Sequence, residues 1–597
     1  MTSFVAPLAD MRFVLDEIAD LAGLATLPGL EETTGETVDA VLQEAGRYAG
    51  EVLAPLNRSG DMEGIRFENG VVRTPSGFQD AYRRFAEGGW GGVAVPLEAG
   101  GQGLPHAVAT ATIELWNAGN MSFALCPLLT AGAIEILLHY GSEEQKRVYL
   151  PRMVSGEWAG TMNLTEPQAG TDLGALKTRA MPENGHWKIT GQKCFITFGE
   201  HDLTENIVHM VLARTPTAPS GSRGISLFIV PKYLVKDDGS LGPRNDLRCV
   251  SVEHKLGIKA SPTCVMAFGD SGGAVGYLVG EENRGLEAMF TMMNVERLGV
   301  GIQGLGLAER AYQQAVAYAH QRKQSRKLGS DDPAPVAIVE HPDVRRTLAT
   351  MRALIEASRA LAYAVGAAVD REERHPDAKE RARAQALVEV LTPVAKAWLS
   401  DMACQVTSLG IQVHGGMGFI EETGAAQYYR DARILPIYEG TNGVQALDLV
   451  TRKLLRDGGR GFGVAEQWLN ESVHHVENCS RPDVSELAPA LIQALNRLHQ
   501  TGQWLLTACG RNLPGAAAVA TPFLALCGLT AGGCLMGAAA AAAARRLQSG
   551  EGDPAFNERK IRTARFYAAN ILPYAEAEAR RTLEGAKSTL DMAPADF

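Results

Sequence analysis

No two of the nine cysteines are spaced as CxxC; they stand at positions 126, 194, 249, 264, 404, 479, 509, 527 and 534. That spacing supports neither a zinc framework nor a redox dithiol, and no metal site is expected. Thiols scattered in this way fit a reducing cytoplasm, where most behave as small buried hydrophobes. Positive charge is also in short supply. With 57 Lys and Arg against 68 Asp and Glu, the formal net charge is −11, which argues against any general affinity for nucleic acid. The start, MTSFVAPLADMRF, reaches Asp10 before any long apolar run, so no secretory signal is expected. No fixed-period repeat is apparent. What the chain does have is length and an ordinary core: 597 residues, 46% hydrophobic and 21% charged, enough for about four domains. Disorder, collagen and a small disulfide scaffold are excluded.

One stretch tests the reading of a soluble protein. From Asn512 to Ala544 there is no charged residue, a length able to cross a bilayer. Ala and Gly dominate it, with seven consecutive alanines at 538–544, and Pro514 and Pro522 interrupt it. Alanine contributes little apolar transfer energy, and small residues allow close helix packing. The stretch reads as a buried bundle helix, with membrane contact or a span as the alternatives.

The pattern along the chain predicts a mainly α protein with a middle β-domain. Residues 8 to about 160 read as helical, with ETVDAVLQEAGRYAGEVLAPLNR (36–58), GFQDAYRRFAEGGW (77–90) and EEQKRVYLPRMVSG (143–156) at helical spacing. VPLEAGGQGLP (95–105) reads as a loop. From near Gly160 the segments HWKITGQKCFITFG (186–199), NIVHMVLAR (206–214) and GISLFIVPK (224–232) predict antiparallel strands of a domain ending near Glu282. Helical periodicity returns at Leu286 and runs to about Leu455, with a polar break around 327–340. Gly-rich DGGRGFG at 457–463 reads as a boundary, and helix resumes from Val464 to the end apart from a break near 549–554. The expected division is 1–159, 160–283, 284–456 and 463–597.

Five segments carry candidate chemistry. The literal GxGxxG at Gly299–Gly304 lies inside a predicted helix, without the preceding strand that a dinucleotide site needs. Its glycines are expected to let another helix or a ligand approach. EPQAGTD (166–172) is too polar for a core strand. It reads either as a plain surface turn or as a loop whose amides and hydroxyls line a planar ligand. Gln412-Val-His-Gly415-Gly416-Met-Gly418-Phe419 suits close backbone approach to a phosphate or dinucleotide. The basic run His320–Lys327 reads as a solvated helix end or a phosphate site. In Pro436-Ile-Tyr438-Glu439-Gly440-Thr441-Asn442-Gly443, the glutamate is either a helix cap or a desolvated general base.

TEPQAGTD (165–172), GQKCFITFGE (191–200), QVHGGMGF (412–419) and YEGTNGVQ (438–445) occur in the order in which similar motifs occur in acyl-CoA dehydrogenases. VPLEAGGQGLP and YAHQRKQS (318–325) are similar to segments of that family too, and the likeness covers about residues 40–455. MRFVLDEI, EHDLTENIVHMVLA and the extension beyond 460 resemble a branch of about 600 residues that includes bacterial fatty-acyl-CoA and 3-methylmercaptopropionyl-CoA dehydrogenases. The resemblance implies an N-terminal α domain, a β-barrel-like domain and a C-terminal four-helix bundle, plus an extra α domain. It implies FAD bound by Met162, Leu164, Thr165, Gly170, Thr171, Phe195, Ile196, Thr197, Arg322, Gln324, Ser325, Gln412, Gly415, Gly416 and Thr441, and hence at least a homodimer. Thr171, Asn294, Arg297 and Tyr438 would contact the acyl-CoA.

The same resemblance makes Glu439 the base that removes the α-proton, while the β-hydrogen leaves as hydride to flavin N5 to give a trans-2-enoyl thioester. An amide at Glu439 and a ribityl hydroxyl would polarise the thioester carbonyl. Some family members carry the base at the position of Glu296 instead, and this chain has both carboxylates; Glu439 is favoured because YEGTN is intact. Gly443 stands where many members have a flavin-binding glutamine. The implied activity is β-oxidation of a medium- or long-chain fatty acyl-CoA in the cytoplasm, with electrons passed to electron-transfer flavoprotein. The alternatives are a 3-methylmercaptopropionyl-CoA dehydrogenase and an acyl-CoA oxidase. Membrane contact is not expected.

Overall fold

The computed structural model describes residues 4–597 except 237, 509 and 511, so Cys509 lies outside the described residues. The chain forms two compact units. One comprises residues up to 47, 105–118 and 297–597; the other comprises 48–104 and 119–296.

In the second unit, eight strands make one sheet: β1 Trp158–Asn163, β2 Arg179–Glu183, β3 His186–Thr197, β4 Asn206–Ala213, β5 Ser226–Pro231, β6 Leu247–Val252, β7 Thr263–Phe268 and β8 Ala274–Val279. Their order is β6-β7-β3-β8-β5-β4-β1, with β2 on β3. The strand side chains alternate between two apolar layers, as the period of two requires. Val208, Met210 and Leu212 join Ile134, Tyr149 and Trp158 in one layer. Val211 and Ala213 join Phe228, Val230 and Phe268 in the other. Burial on both faces makes NIVHMVLA nearly continuous in hydrophobicity.

Two expectations need correction here. The strands are antiparallel except that β1 pairs parallel with β4, Trp158 opposite Asn206, because a long connection through β2 and β3 separates the two. The N-terminal stretch expected to be helical also contains a hairpin, Arg66–Glu68 against Val71–Arg73. Asn69 and Gly70 sit at its tip with φ of 51° and 79°, the Asn-Gly turn signal that helical periodicity around it had masked.

The other unit is helical. Among its elements are α1 Leu8–Glu17, the start of α2 His106–Tyr140, most of α3 Gly285–Gln321, α4 Pro342–Arg374 and α5 Ala378–His414. The GxGxxG region lies within α3, as expected. A Cβ on Gly301 would stand 3.0 Å from the Ala395 carbonyl and one on Gly304 2.9 Å from that of Leu399, so these glycines seat α5. The polar break holds a small hairpin that the sequence reading missed, Lys323–Arg326 against Pro335–Ala337.

After the short α6 Asn442–Leu447, the chain turns at 456–459 and continues into the extension, whose helices group with the bundle. The uncharged run forms a short helix and α7 Ala520–Ser549; α8 is Pro554–Asn570. Gly528 lies against Trp398, where a Cβ would come within 2.3 Å. Small side chains therefore serve helix packing, the first of the readings given to this run. α2 and α7 are both long and apolar enough to cross a membrane by length and composition, and 78% and 83% of their apolar windows are buried inside the protein.

Candidate active site

Two segments expected to meet a flavin lie side by side in the β-unit. Cys194 donates its N–H to the Thr165 carbonyl at 2.9 Å, and the Lys193 ammonium donates to the Leu164 carbonyl at 3.0 Å. Glu166 organises the loop. Its carboxylate accepts from Lys193 at 2.9 Å, from the Lys177 amide at 2.7 Å, and from the Thr178 amide and hydroxyl at 3.0 and 2.6 Å. Burial raises the carboxyl's pKa, but Lys193 and these donors outweigh it and hold the group at about 2. Burial also lowers the Lys193 ammonium to about 8 against the pull of Glu166.

On this scaffold Met162 and Thr165 are partly exposed, Leu164 is buried, and Gly170 and Thr171 are exposed. Phe195 has φ of 58° and is 62% exposed, while Ile196 is buried and the Thr197 carbonyl accepts from the Thr161 hydroxyl at 2.7 Å. Sequence reasoning missed the Glu166–Lys193 pair, because a lysine in GQKCFIT looks the same whether solvated or buried. Lys193→Met leaves Glu166 buried without its cation, a change expected to cost about 3–5 kcal/mol. The expected readout is a protein that purifies with less than half of its flavin, checked by absorbance after denaturation.

In the same unit Asn294 is exposed and Glu296 is buried on α3, its Oε1 2.9 Å from where a Cβ on Gly132 would stand.

The helical unit holds the remaining candidates. Tyr438 and Glu439 occupy a turn closed by the Asn442 amide donating to the Pro436 carbonyl at 3.0 Å. Glu439 has φ of 56°, a left-handed conformation that costs a non-glycine residue about 1 kcal/mol or more and persists only when its surroundings impose it. Gly440 follows at φ 80°, and a Cβ there would meet the Gln445 side chain at 2.8 Å. Gln445 in turn donates to the Glu439 carbonyl at 3.2 Å. The Tyr438 hydroxyl donates to Gln303. Thr441 caps α6, accepting from the Val444 amide at 3.2 Å.

Burial raises the partly exposed Glu439 carboxyl to about 7, against the attraction of Arg297 and Lys396. Arg297 is itself buried, which lowers its pKa, while Asp448 and Glu439 oppose that shift. Arg322, Gln324 and Ser325 lie on the exposed Lys323–Arg326 hairpin and the residue before it, with the Arg322 guanidinium donating to Gln324 at 3.2 Å. Gln412, Gly415 and Gly416 are exposed, and no atom lies within 4 Å of a Cβ built on either glycine.

The structure thus brings together Met162–Thr165 with Phe195–Thr197 in one unit, and Tyr438, Glu439 and Thr441 with Arg297 in the other. These features fit FAD. Gly415 and Gly416 leave backbone open to a phosphate, and Phe195 offers an exposed ring near the end of β3.

Residues 35–157, 161–271 and 283–455 match the acyl-CoA dehydrogenase N-terminal, middle and C-terminal domains, and 468–593 match a domain described as acetyl-CoA dehydrogenase C-terminal like. The 3-methylmercaptopropionyl-CoA dehydrogenase of Ruegeria pomeroyi is 47% identical over 98% of this chain and 99% of its own. A butyryl-CoA dehydrogenase of Syntrophomonas wolfei is 35% identical over 96% of this chain and 95% of its own. The crystal structure of an acyl-CoA dehydrogenase complexed with FAD from Bacillus anthracis has a TM-score of 0.74, covering 97% of this chain and 93% of that one at 22% identity, a likeness of fold.

Proposed function

This chain belongs to the acyl-CoA dehydrogenase family, with FAD as its cofactor, and we propose that it desaturates a short acyl-CoA thioester between Cα and Cβ with Glu439 as the base. The observation that carries this reading is the Glu439 carboxyl in its left-handed turn, raised to about 7 between Arg297 and Lys396. A carboxylate of that basicity is better matched to a carbon acid than a solvated one. The α-proton moves to a Glu439 carboxylate oxygen, and the thioester carbonyl accepts from the Glu439 amide, which stabilises the developing enolate charge. FAD, when bound, supplies the hydride acceptor for the β-hydrogen. In the β-unit the proposed cofactor contacts are Met162, Leu164, Thr165, Gly170, Thr171, Phe195, Ile196 and Thr197; in the helical unit they are Arg322, Gln324, Ser325, Gln412, Gly415, Gly416 and Thr441.

The substrate proposed first is 3-methylmercaptopropionyl-CoA, with butyryl-CoA second. The activities for which the two relatives are named support this, ahead of the medium- and long-chain substrates expected from sequence. The thioether acyl group is a pentanoyl group with sulfur in place of one methylene, and butyryl is one heavy atom shorter, a difference that an apolar pocket reads by only about 1–3 kcal/mol. Thr171, Asn294, Arg297 and Tyr438 are the proposed substrate contacts. We further assign electron-transfer flavoprotein as the acceptor, a homodimer as the minimal assembly and the cytoplasm as the compartment. The eight described cysteines, all free thiols, support the last.

The test is anaerobic bleaching of the yellow protein near 450 nm by a panel of acyl-CoAs (about, a general flavin property). The thioether and butyryl thioesters should bleach fastest. Fastest bleaching by long-chain thioesters would overturn the substrate assignment, and a bleach that returns rapidly in air with peroxide would make the enzyme an oxidase.

A further inference from the structure

The mechanism leaves unused a charged group that the structure has placed with care. Lys396, near the middle of α5, is fully buried. Its ammonium donates to the Leu435 carbonyl at 2.9 Å, the Gly440 carbonyl at 2.8 Å and Asn442 Oδ1 at 2.9 Å. An ammonium has three N–H donors, and here three neutral acceptors take all of them, so the protonated form is the one this pocket fits. Leu435 and Gly440 bracket the turn that carries Tyr438 and Glu439. Asn442 extends the clamp by donating to the Ala397 carbonyl at 3.1 Å and to Asp401 at 2.8 Å.

We propose that Lys396 is a positioning residue for the dehydrogenation: its buried ammonium clamps both ends of the Leu435–Gly440 turn and so fixes the aim of Glu439. This rests on the reading of Glu439 as base.

The electrostatic surroundings follow from three elements. α3 contributes Arg297, α5 contributes Lys396 and Asp401, and the helical segment after α6 contributes Asp448 and Arg452, which act on Arg297. Lys396 therefore acts on Glu439 together with Arg297, and Asp401 offsets part of it. Burial brings the Lys396 ammonium down to about 8, with Glu439 and Asp401 pulling it back up. The two cations lower the carboxyl while burial raises it, so removing one of them raises it further.

The experiment compares wild-type holoenzyme, Lys396→Gln, Lys396→Met and Glu439→Gln by stopped-flow bleaching with butyryl-CoA across pH. Flavin content and melting temperature are measured alongside. Glutamine keeps two donors but no charge. It should retain FAD and move the acid limb of the bleaching profile up by about one pH unit, a tenfold loss of rate below the limb. Methionine removes the clamp as well, and should lower the plateau rate by about 100-fold, as expected when a reacting group is misplaced by about 1 Å. A lysine with only a structural role would lower melting temperature or FAD content and leave the acid limb where it was. An unmoved limb in a folded, flavin-loaded Lys396→Gln overturns the proposal. Glu439→Gln separates the two readings. If it bleaches like wild type, the base assignment falls; if it does not bleach and the Lys396→Gln limb stays put, only the lysine's role falls.

Discussion

Glu439→Gln should slow anaerobic flavin bleaching by about 10³- to 10⁴-fold at pH 8 while leaving FAD bound, the upper range for loss of a positioned general base. Glutamine has nearly the shape of glutamate but cannot take the α-proton. The Glu439 main chain is held by Gln445 and by its turn, so the backbone should survive the change. In the wild type the same step should depend on pH in a defined direction. The carboxyl sits near 7, so it is protonated and inactive below that value, and the rate should rise with pH through about 7. Substrate binding removes further water and should push the limb higher. Glu439→Asp retracts the carboxylate by one methylene and should cost about 100-fold. The rival carboxylate is Glu296, buried one residue before Arg297. If Glu296→Gln rather than Glu439→Gln abolishes bleaching, the base lies on α3 and the intact YEGTN motif has another use.

The second large effect concerns stability. Arg359→Leu should destabilise the helical unit by at least about 3–5 kcal/mol, because it strands two buried carboxylates at once. The Arg359 guanidinium is buried on α4 and donates to Asp10 of α1, to Glu114 of α2 at 3.1 and 3.2 Å from Nε, and to Glu309 of α3 at 2.9 Å. The Tyr363 hydroxyl adds a bond to Glu114 at 2.7 Å. From the C-terminal extension, Lys560 donates to Asp10 at 2.7 Å and to Glu356 at 2.8 Å. Four carboxylates thus share two cations. Burial raises the Glu114 and Glu356 carboxyls, while Lys560 and Arg359 outweigh burial at Asp10 and hold it at about 2. Removing Arg359 leaves Glu114 and Glu309 with no cation in the network. Thermal melting followed by circular dichroism should fall by several degrees. Adding Glu114→Gln should restore part of the loss, since it removes one of the stranded charges. A variant that melts with the wild type would mean that water reaches these groups and that the network contributes little.

This network also explains why the extension groups with the bundle although Asp457–Gly463 reads as a boundary. Glycine-rich composition reports local turn chemistry. The Lys560 contacts join residues from opposite ends of the chain, which no local pattern announces. The Asn-Gly hairpin at 69–70 is the reverse case: its signal was legible and was overridden by the helical periodicity on either side. The parallel pairing of β1 with β4 lay beyond reach, since strand composition does not specify its neighbour.

By itself the sequence determined the order of helical and strand regions and the presence of four motif segments in family order. It also determined that the glycines of GxGxxG sit within a helix, because periodicity and turn residues act over a few positions of chain. The tertiary structure decided which charged side chains are buried and what faces them. Nothing in their local sequence marks Lys193 or Lys396; folding placed them against Glu166 and beneath the Glu439 turn. Desolvation and Coulombic attraction act through space between residues distant in the chain, so the basicity of Glu439 belongs to the packed protein rather than to YEGTN.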